Sequence, residues 1–95
     1  MTGGAFVERT FSRSGQTIIC RFSQPVSDGQ DFRCGYSLEG AGVSISSGAW
    51  GVDSVQALLL AMQKAHLDLL SSNTGERDRI SWHGSDDLGL PLPKA

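Results

Sequence analysis

The run from Trp50 to Ala61 carries the clearest structural signal in this sequence, because it is typical of the start of a helix. Asp53 is a residue type that caps helices, and Gln56, three residues later, can reach back to the backbone N–H of the cap, which makes a capping box. Val52 and Ala57 fit the small hydrophobic contact that often accompanies such a box. The sequence before this run shows strand-like patterns, so the run divides the chain into a β part and one long helix.

Four segments before the helix have the composition of strands and are bounded by turn-forming residues. We predict strands at Val7–Ser12, Thr17–Gln24, Phe32–Glu39 and Val43–Ser47. Residues 26–30 are predicted as a loop, and Gly40-Ala41 is predicted as a two-residue type II′ turn because glycine stands first. The glycines of residues 48–51 are predicted to break the last strand with a bulge or bend before the helix.

The helix is predicted over Ser54–Leu70, with an apolar stripe at helical spacing. That stripe consists of Val55, Leu58, Leu59, Met62, Ala65, His66 and Leu69. The predicted fold is one α+β domain over residues 1–95, a two-layer structure in which a four-stranded antiparallel β-meander packs on one long C-terminal helix. Residues 80–82 are expected to add a short extra strand, residues 83–95 to form an extended tail, and residues 1–5 to be a flexible N-terminus.

Composition disfavours several classes of partner. The formal net charge of −2 lacks the basic excess that nucleic-acid binders usually show. The sequence contains no apolar run near the ~20 residues that span a bilayer, so no membrane contact is expected. Residues 1–5 do not begin a basic region followed by a long apolar stretch, so we find no secretion signal and expect a cytoplasmic protein with Cys20 and Cys34 reduced.

The cysteines are interpreted as core residues. If the loop at residues 25–30 closes symmetrically, Cys20 lies near Cys34, and Arg21 lies near Arg33 on the opposite face of the sheet. The two cysteines lack the close sequence spacing of a structural zinc site, although a metal or redox site stays open as the alternative. No metal and no cofactor are therefore predicted.

Catalytic interpretations find little support. Ser85 and His83 stand beside two aspartates in the tail, but the nucleophile elbow that presents a catalytic serine is absent, so this segment is interpreted as a solvated polar turn. Asp53 is explained by its role as a helix cap. We predict no catalytic residue and no enzymatic activity, with a small enzyme as the least favoured alternative.

Seven residues are candidates for contacting a partner: Arg21, Arg33, Leu60, Leu67, Trp82, Leu88 and Leu90. The two arginines would share the open face of the sheet, and the first two leucines lie off the helical stripe. The remaining three belong to an apolar tail, which must either fold back on the domain or find a partner. We expect a protein partner, either another chain or a second copy in a homodimer, with Leu60 and Leu67 receiving the tail.

Four short motifs support a resemblance: Glu8-Arg9-Thr10-Phe11, Cys34-Gly35-Tyr36, Gly51 to Leu58, and Leu88-Gly89-Leu90-Pro91. With them the chain resembles a family of small uncharacterised bacterial proteins, a domain-of-unknown-function group. The resemblance implies a bacterial source and a fold, and it implies no activity. The order of strands and helix is also similar to antitoxins of the HicB type, although no DNA-binding segment follows. We therefore expect a cytoplasmic bacterial binding module, or alternatively an antitoxin- or immunity-like inhibitor of an enzyme.

Overall fold

The computed structural model describes residues 6–73 and 78–92, which form one antiparallel sheet and one helix. The strands are β1 (Val7–Arg13), β2 (Gln16–Phe22), β3 (Val26–Asp28), β4 (Asp31–Gly40) and β5 (Val43–Gly51), and the helix is α1 (Ser54–Ser71). Along one side β4 pairs with β5, along the other with both β2 and β3, and β1 pairs with β2. The predicted α+β class is correct, but the sheet has five strands rather than four. The predicted flexible residues 1–5 and the last three residues of the predicted tail lie outside the described residues.

The extra strand arises where a loop was predicted. β2 and β3 lie end to end along the same side of β4, and a β-bulge separates them. Ser23 pairs with Gly35, and Val26 pairs with Arg33. The two residues between Ser23 and Val26, one of which is Pro25, therefore lie opposite a single residue of β4. Such an insertion bends a strand and interrupts its ladder, and proline has no N–H to give to that ladder. The meander is therefore kept in outline, with its second strand broken in two.

The register between β2 and β4 differs from the predicted one. Cys20 pairs with Leu38, four residues along β4 from Cys34, and Arg21 is displaced from Arg33 in the same way. The predicted symmetric closure was wrong because the chain turns tightly at residues 29–30, which moves the pairing five residues along β4, and the bulge takes back only one of them. The cysteines still face the core, whereas the two arginines are not cross-strand neighbours.

The hairpin joining β4 to β5 also differs from the prediction. Gly40 pairs with Val43, so the turn residues are Ala41 and Gly42, with φ values of 51° and 83°. Two positive φ values are those of a type I′ turn, rather than the predicted type II′ turn. The strand then continues without a break to Gly51, because β4 is long enough to pair with it throughout.

The helix begins as predicted. Asp53 is the N-cap, and its Oδ1 accepts a hydrogen bond of 2.8 Å from the backbone N–H of Gln56. The Gln56 side chain reaches back and accepts a hydrogen bond of 2.7 Å from the N–H of Val52, one residue before the cap. Two donors at the start of the helix are therefore satisfied by side chains, as in a capping box.

The buried face of α1 matches the predicted stripe only in part, because Ala65, His66 and Leu69 are buried as predicted but Ala57 and Ala61 were not in the stripe. Ala57, Ala61 and Ala65 are fully buried against the sheet, whereas Val55 and Leu59 are 64% and 46% exposed. Alanine lets the helix axis approach the sheet closely, which rotates the larger apolar side chains towards the flanks. At the start of α1 the approach is so close that a Cβ on Gly51 would lie 2.4 Å from the backbone nitrogen of Ala57.

The tail folds back beside the helix and covers the β1–β2 side of the core. Ser81 exchanges two backbone hydrogen bonds with Ser12, of 2.9 and 2.8 Å, so the predicted extra strand is reduced to an isolated bridge. The Arg9 guanidinium donates to the carbonyl oxygen of Leu88 and also lies 3.9 Å from the ring centre of Trp82. Leu88 is 1% exposed. The tail thus completes the hydrophobic core of its own chain.

Candidate interaction surface

The outer edge of β5 exposes backbone groups that the rest of the sheet does not use. Because Gly40 and Val43 close the hairpin, the odd-numbered residues of β5 bond to β4, and the backbone groups of Ser44, Ser46 and Gly48 point outward. Within residues 6–73 and 78–92, one hydrogen bond reaches these groups, a 2.6 Å bond from the Lys64 ammonium to the carbonyl oxygen of Gly48. The edge therefore offers a largely unpaired ladder along a nine-residue strand.

The two long edges of the sheet differ. On β1, Ser12 is already paired with Ser81, and Glu8 adds a charge to the strand. Charged side chains, proline, bulges and covering segments are the usual means by which proteins prevent an edge strand from pairing with another chain. The nine residues of β5, VSISSGAWG, include neither a charge nor a proline. The β5 edge is thus the one suited to contact with another chain.

A groove of about 360 Å³ runs between the β5 edge and one flank of α1. Its walls include Trp50 from the strand and Leu60, Lys64 and Leu67 from the helix. Trp50 is 51% exposed and Leu67 is 44% exposed, and Leu60 is half-buried. Exposed apolar side chains beside unpaired backbone groups are the two features by which an added strand gains both hydrogen bonds and burial.

Two charged side chains of β4 lie over β5 on the open face of the sheet. The Arg33 guanidinium lies over Gly48, since a Cβ on that glycine would meet Nη2 at 2.7 Å. Its Cζ is 5.3 Å from the ring centre of Trp50, and no hydrogen bond or ion pair engages it within the described part of the chain. Four residues away on β5, Ser44 donates a hydrogen bond of 3.2 Å to the Glu39 carboxylate. A cation and an anion thus overhang the same edge strand.

The other predicted contact arginine lies apart from this surface. Arg21 pairs with Glu8 across β1 and β2, as the predicted strand order implies, and their side chains approach to 3.8 Å. Both side chains are about half exposed, so such an ion pair adds little stability. The predicted proximity of Arg21 and Arg33 is therefore not found, because Arg21 pairs with Ser37 on β4.

The predicted contact residues of the tail are part of the fold. Leu88 is a core residue, and Trp82 and Leu90 are half-buried against the core. They pack on the side of α1 that faces β1 and β2, so Leu60 and Leu67 do not receive the tail. The structure instead places these two leucines along β5 on the helix side of the sheet, and Arg33 along the same strand on the open face. We call β5 with these flanking residues the β5 margin.

Sequence reasoning missed the remaining members of that margin, namely Glu39, Ser44, Ser46, Trp50 and Lys64. The three of these on β5 could have been indicated by the absence of charge and proline over Val43–Gly51, a signal that the predicted break at residues 48–51 concealed.

The cysteine thiols are held in their protonated form. Burial raises the pKa of Cys20 to about 12, and the charge of Arg9 opposes this only in part. Burial also raises the pKa of Cys34, against the opposing charge of Arg33. Because the thiolate is the nucleophile and the metal ligand, both cysteines are poorly suited to either role at neutral pH.

The polar residues of the tail serve its own backbone. The hydroxyl oxygen of Ser85 accepts a hydrogen bond of 3.0 Å from the N–H of Asp87, whose carboxylate accepts one of 2.9 Å from Gly89. His83 lies in the tight turn between Trp82 and Ser85. In residues 6–73 and 78–92, no group of three or more histidine, cysteine, aspartate or glutamate side chains is arranged to hold a metal ion.

A family model described as Domain of unknown function (DUF6968) matches residues 7–92. The chain belongs to this family. Neither a curated protein nor a solved structure matches it. The matched span of the DUF6968 domain includes all five strands, α1 and the described part of the tail, so the β5 margin lies inside the family domain. No helix in the described part of the chain combines the length and apolar character that a membrane span requires.

Proposed function

We propose that this DUF6968 domain is a bacterial, cytoplasmic protein-interaction module without catalytic activity, and that it contacts its partner along β5 and the adjoining flank of α1. The observation that carries the proposal is the largely unpaired β5 edge beside the groove lined by Leu60 and Leu67. An extended segment placed there would gain backbone hydrogen bonds from the outward groups of β5 and apolar contacts from the helix, which is the recognition mode known as strand addition.

The side chains that could take part in catalysis are already held in structural contacts, and this supports the proposed absence of catalytic activity. Asp53 is used to cap α1, and the buried His66 ring lies 3.2 Å from the carbonyl oxygen of Pro91 through Nδ1. The thiols of Cys20 and Cys34 are buried, with raised pKa values. Each of these groups has a structural role that explains its place in the fold.

Site-specific photo-crosslinking in the native host tests the proposed surface. A photoreactive amino acid in place of Leu67 should crosslink to a protein, whereas the same amino acid in place of Thr10, an exposed residue of β1 that β2 and β4 separate from β5, should not. Ser46→Pro removes an outward N–H without touching the ladder to β4, so it should abolish the crosslink, and Ser46→Ala, which keeps the N–H, should preserve it. Equal crosslinking from both positions, or none from Leu67, would contradict the proposal.

The same experiment addresses the inhibitor alternative, in which the contacted protein is an enzyme. If the captured protein is an enzyme, its activity should fall when the wild-type chain is added and should not fall with the Ser46→Pro variant. If the activity of the captured protein is unaffected, the inhibitor alternative is excluded and the proposal of a general interaction module stands.

A further inference from the structure

We infer that the segment that occupies the β5 edge is β5 of a second copy of this chain, joined to the first by a two-fold axis at Ser46. The inference rests on the proposed use of β5 as the contact edge and names its occupant. Antiparallel pairing of two identical strands is isologous, so every contact made by one copy is repeated by the other. Three features bear on this pairing: the outward backbone groups of β5, the charged side chains of β4 that lie over β5, and the flank of α1 beside it.

The backbone groups permit this register. With Ser46 opposite the partner's Ser46, Gly48 lies opposite the partner's Ser44, and Ser44 lies opposite the partner's Gly48. All of these residues point their N–H and C=O groups outward, so each pair can exchange two hydrogen bonds. Lys64 occupies only one of the two lone pairs of the Gly48 carbonyl oxygen. The side chains of these three residues are small, so they do not themselves crowd the open face of the new seam.

The charges select this register from the alternatives. The Arg33 guanidinium lies over Gly48 and the Glu39 carboxylate lies beside Ser44. Since paired strands are about 4.8 Å apart, a Gly48 opposite the partner's Ser44 brings Arg33 next to the partner's Glu39, once on each side of the axis. An axis at Gly48 would instead bring the two copies of Arg33 together, and an axis at Ser44 would bring the two copies of Glu39 together. Opposite charges attract and like charges repel, so the pattern is self-complementary only around Ser46.

The helix adds apolar contacts to the same seam. In the joined sheet both copies of α1 lie on one face, and the flank carrying Leu60 and Leu67 is the one next to β5. That flank therefore faces the partner's helix across the axis. Pairing would remove exposed apolar surface from water on both copies. Burial of apolar surface is the main favourable contribution to the free energy of most protein association.

Molar mass in solution tests the inference, measured by size-exclusion chromatography with light scattering and by sedimentation. The wild-type chain should have about twice the 10.1 kDa mass of one chain. Ser46→Pro should be a folded monomer, and the matched Ser46→Ala variant should remain a dimer. A wild-type chain that is monomeric over the whole accessible concentration range, or a Ser46→Pro variant that stays dimeric, would overturn the inference.

A charge exchange tests the register independently of folding. Arg33→Glu or Glu39→Arg alone should raise the dimer dissociation constant by about tenfold, because each places like charges at two symmetry-related contacts. The double variant restores opposite charges and should return the constant to near its wild-type value. A double variant as weak as the single ones would contradict the proposed pairing.

The two proposals can fail separately. Crosslinks from Leu67 to a different protein, with a monomeric wild-type chain, would refute only the dimer. A monomeric chain without any Leu67 crosslink would refute both.

Discussion

Replacing Leu88 with alanine should destabilise the fold by about 3 kcal/mol. The side chain is 1% exposed and belongs to the same buried cluster as the sheet residues beneath it. Leu→Ala removes three carbon atoms, worth about 2.4 kcal/mol of transfer free energy at ~0.8 kcal/mol each, and the cavity that remains adds to this. The tail is also fixed by two hydrogen bonds from Arg9, to the carbonyl oxygens of Leu88 and Gly89, so it cannot easily move to fill the space.

Urea unfolding followed by tryptophan fluorescence measures this loss, with Leu92→Ala as the matched control. Leu92 lies in the same tail but is 52% exposed, so its replacement should change the free energy of unfolding by less than about 0.5 kcal/mol. Because Leu88 lies on the β1–β2 side of the core, the dimer dissociation constant should be unchanged in either variant. Equal unfolding midpoints for Leu88→Ala and the wild-type chain would refute the placement of the tail in the core.

Three further predictions concern the helix cap, the cysteines and Tyr36. Asp53→Ala should cost about 1 kcal/mol in urea unfolding through loss of the bond from the N–H of Gln56, while Asp53→Asn should cost far less. Thiol reagents should label Cys20 and Cys34 slowly in the folded chain and quickly in urea, and rapid labelling without denaturant would contradict their burial. Burial and a hydrogen bond to a carboxylate raise the pKa of Tyr36 from 10.0 to about 12. Its contribution to stability should therefore be complete below pH 10 and lost as the pH rises towards 12, and an ultraviolet titration of this single tyrosine that shows a midpoint near 10 would contradict the structure.

Features governed by neighbours in sequence could be predicted. The helix start at Asp53 and Gln56 follows from hydrogen bonds between residues three positions apart, and the α+β class follows from alternation that each strand carries within itself. The inward direction of Cys34 and Tyr36 follows from the same alternation. In each case the determining contacts lie within a few residues of one another.

Features that depend on how distant segments meet could not be predicted in the same way. The bulge next to Pro25 changes the pairing of β2 with β4 by a residue, and no local pattern announces it. The first half of the buried face of α1 was misplaced because Ala57 and Ala61 are weak signals of burial in a sequence that also offers leucines at helical spacing. The distance between helix and sheet decides which of the two sets is buried, and that distance is a tertiary property.

The interaction surface was hidden for a related reason, since its central residues are small. Ser44, Ser46 and Gly48 carry little information in a sequence, and the glycine suggested a break in the strand. In the folded sheet their small size allows Arg33 and Glu39, which belong to the neighbouring strand, to extend over β5 and overhang its edge. The charges of the edge are thus supplied by β4, while β5 itself stays free of charge and open to pairing. Register between the two strands, which fixes which small residue lies beside which charge, is what makes the edge complementary to a second copy of itself.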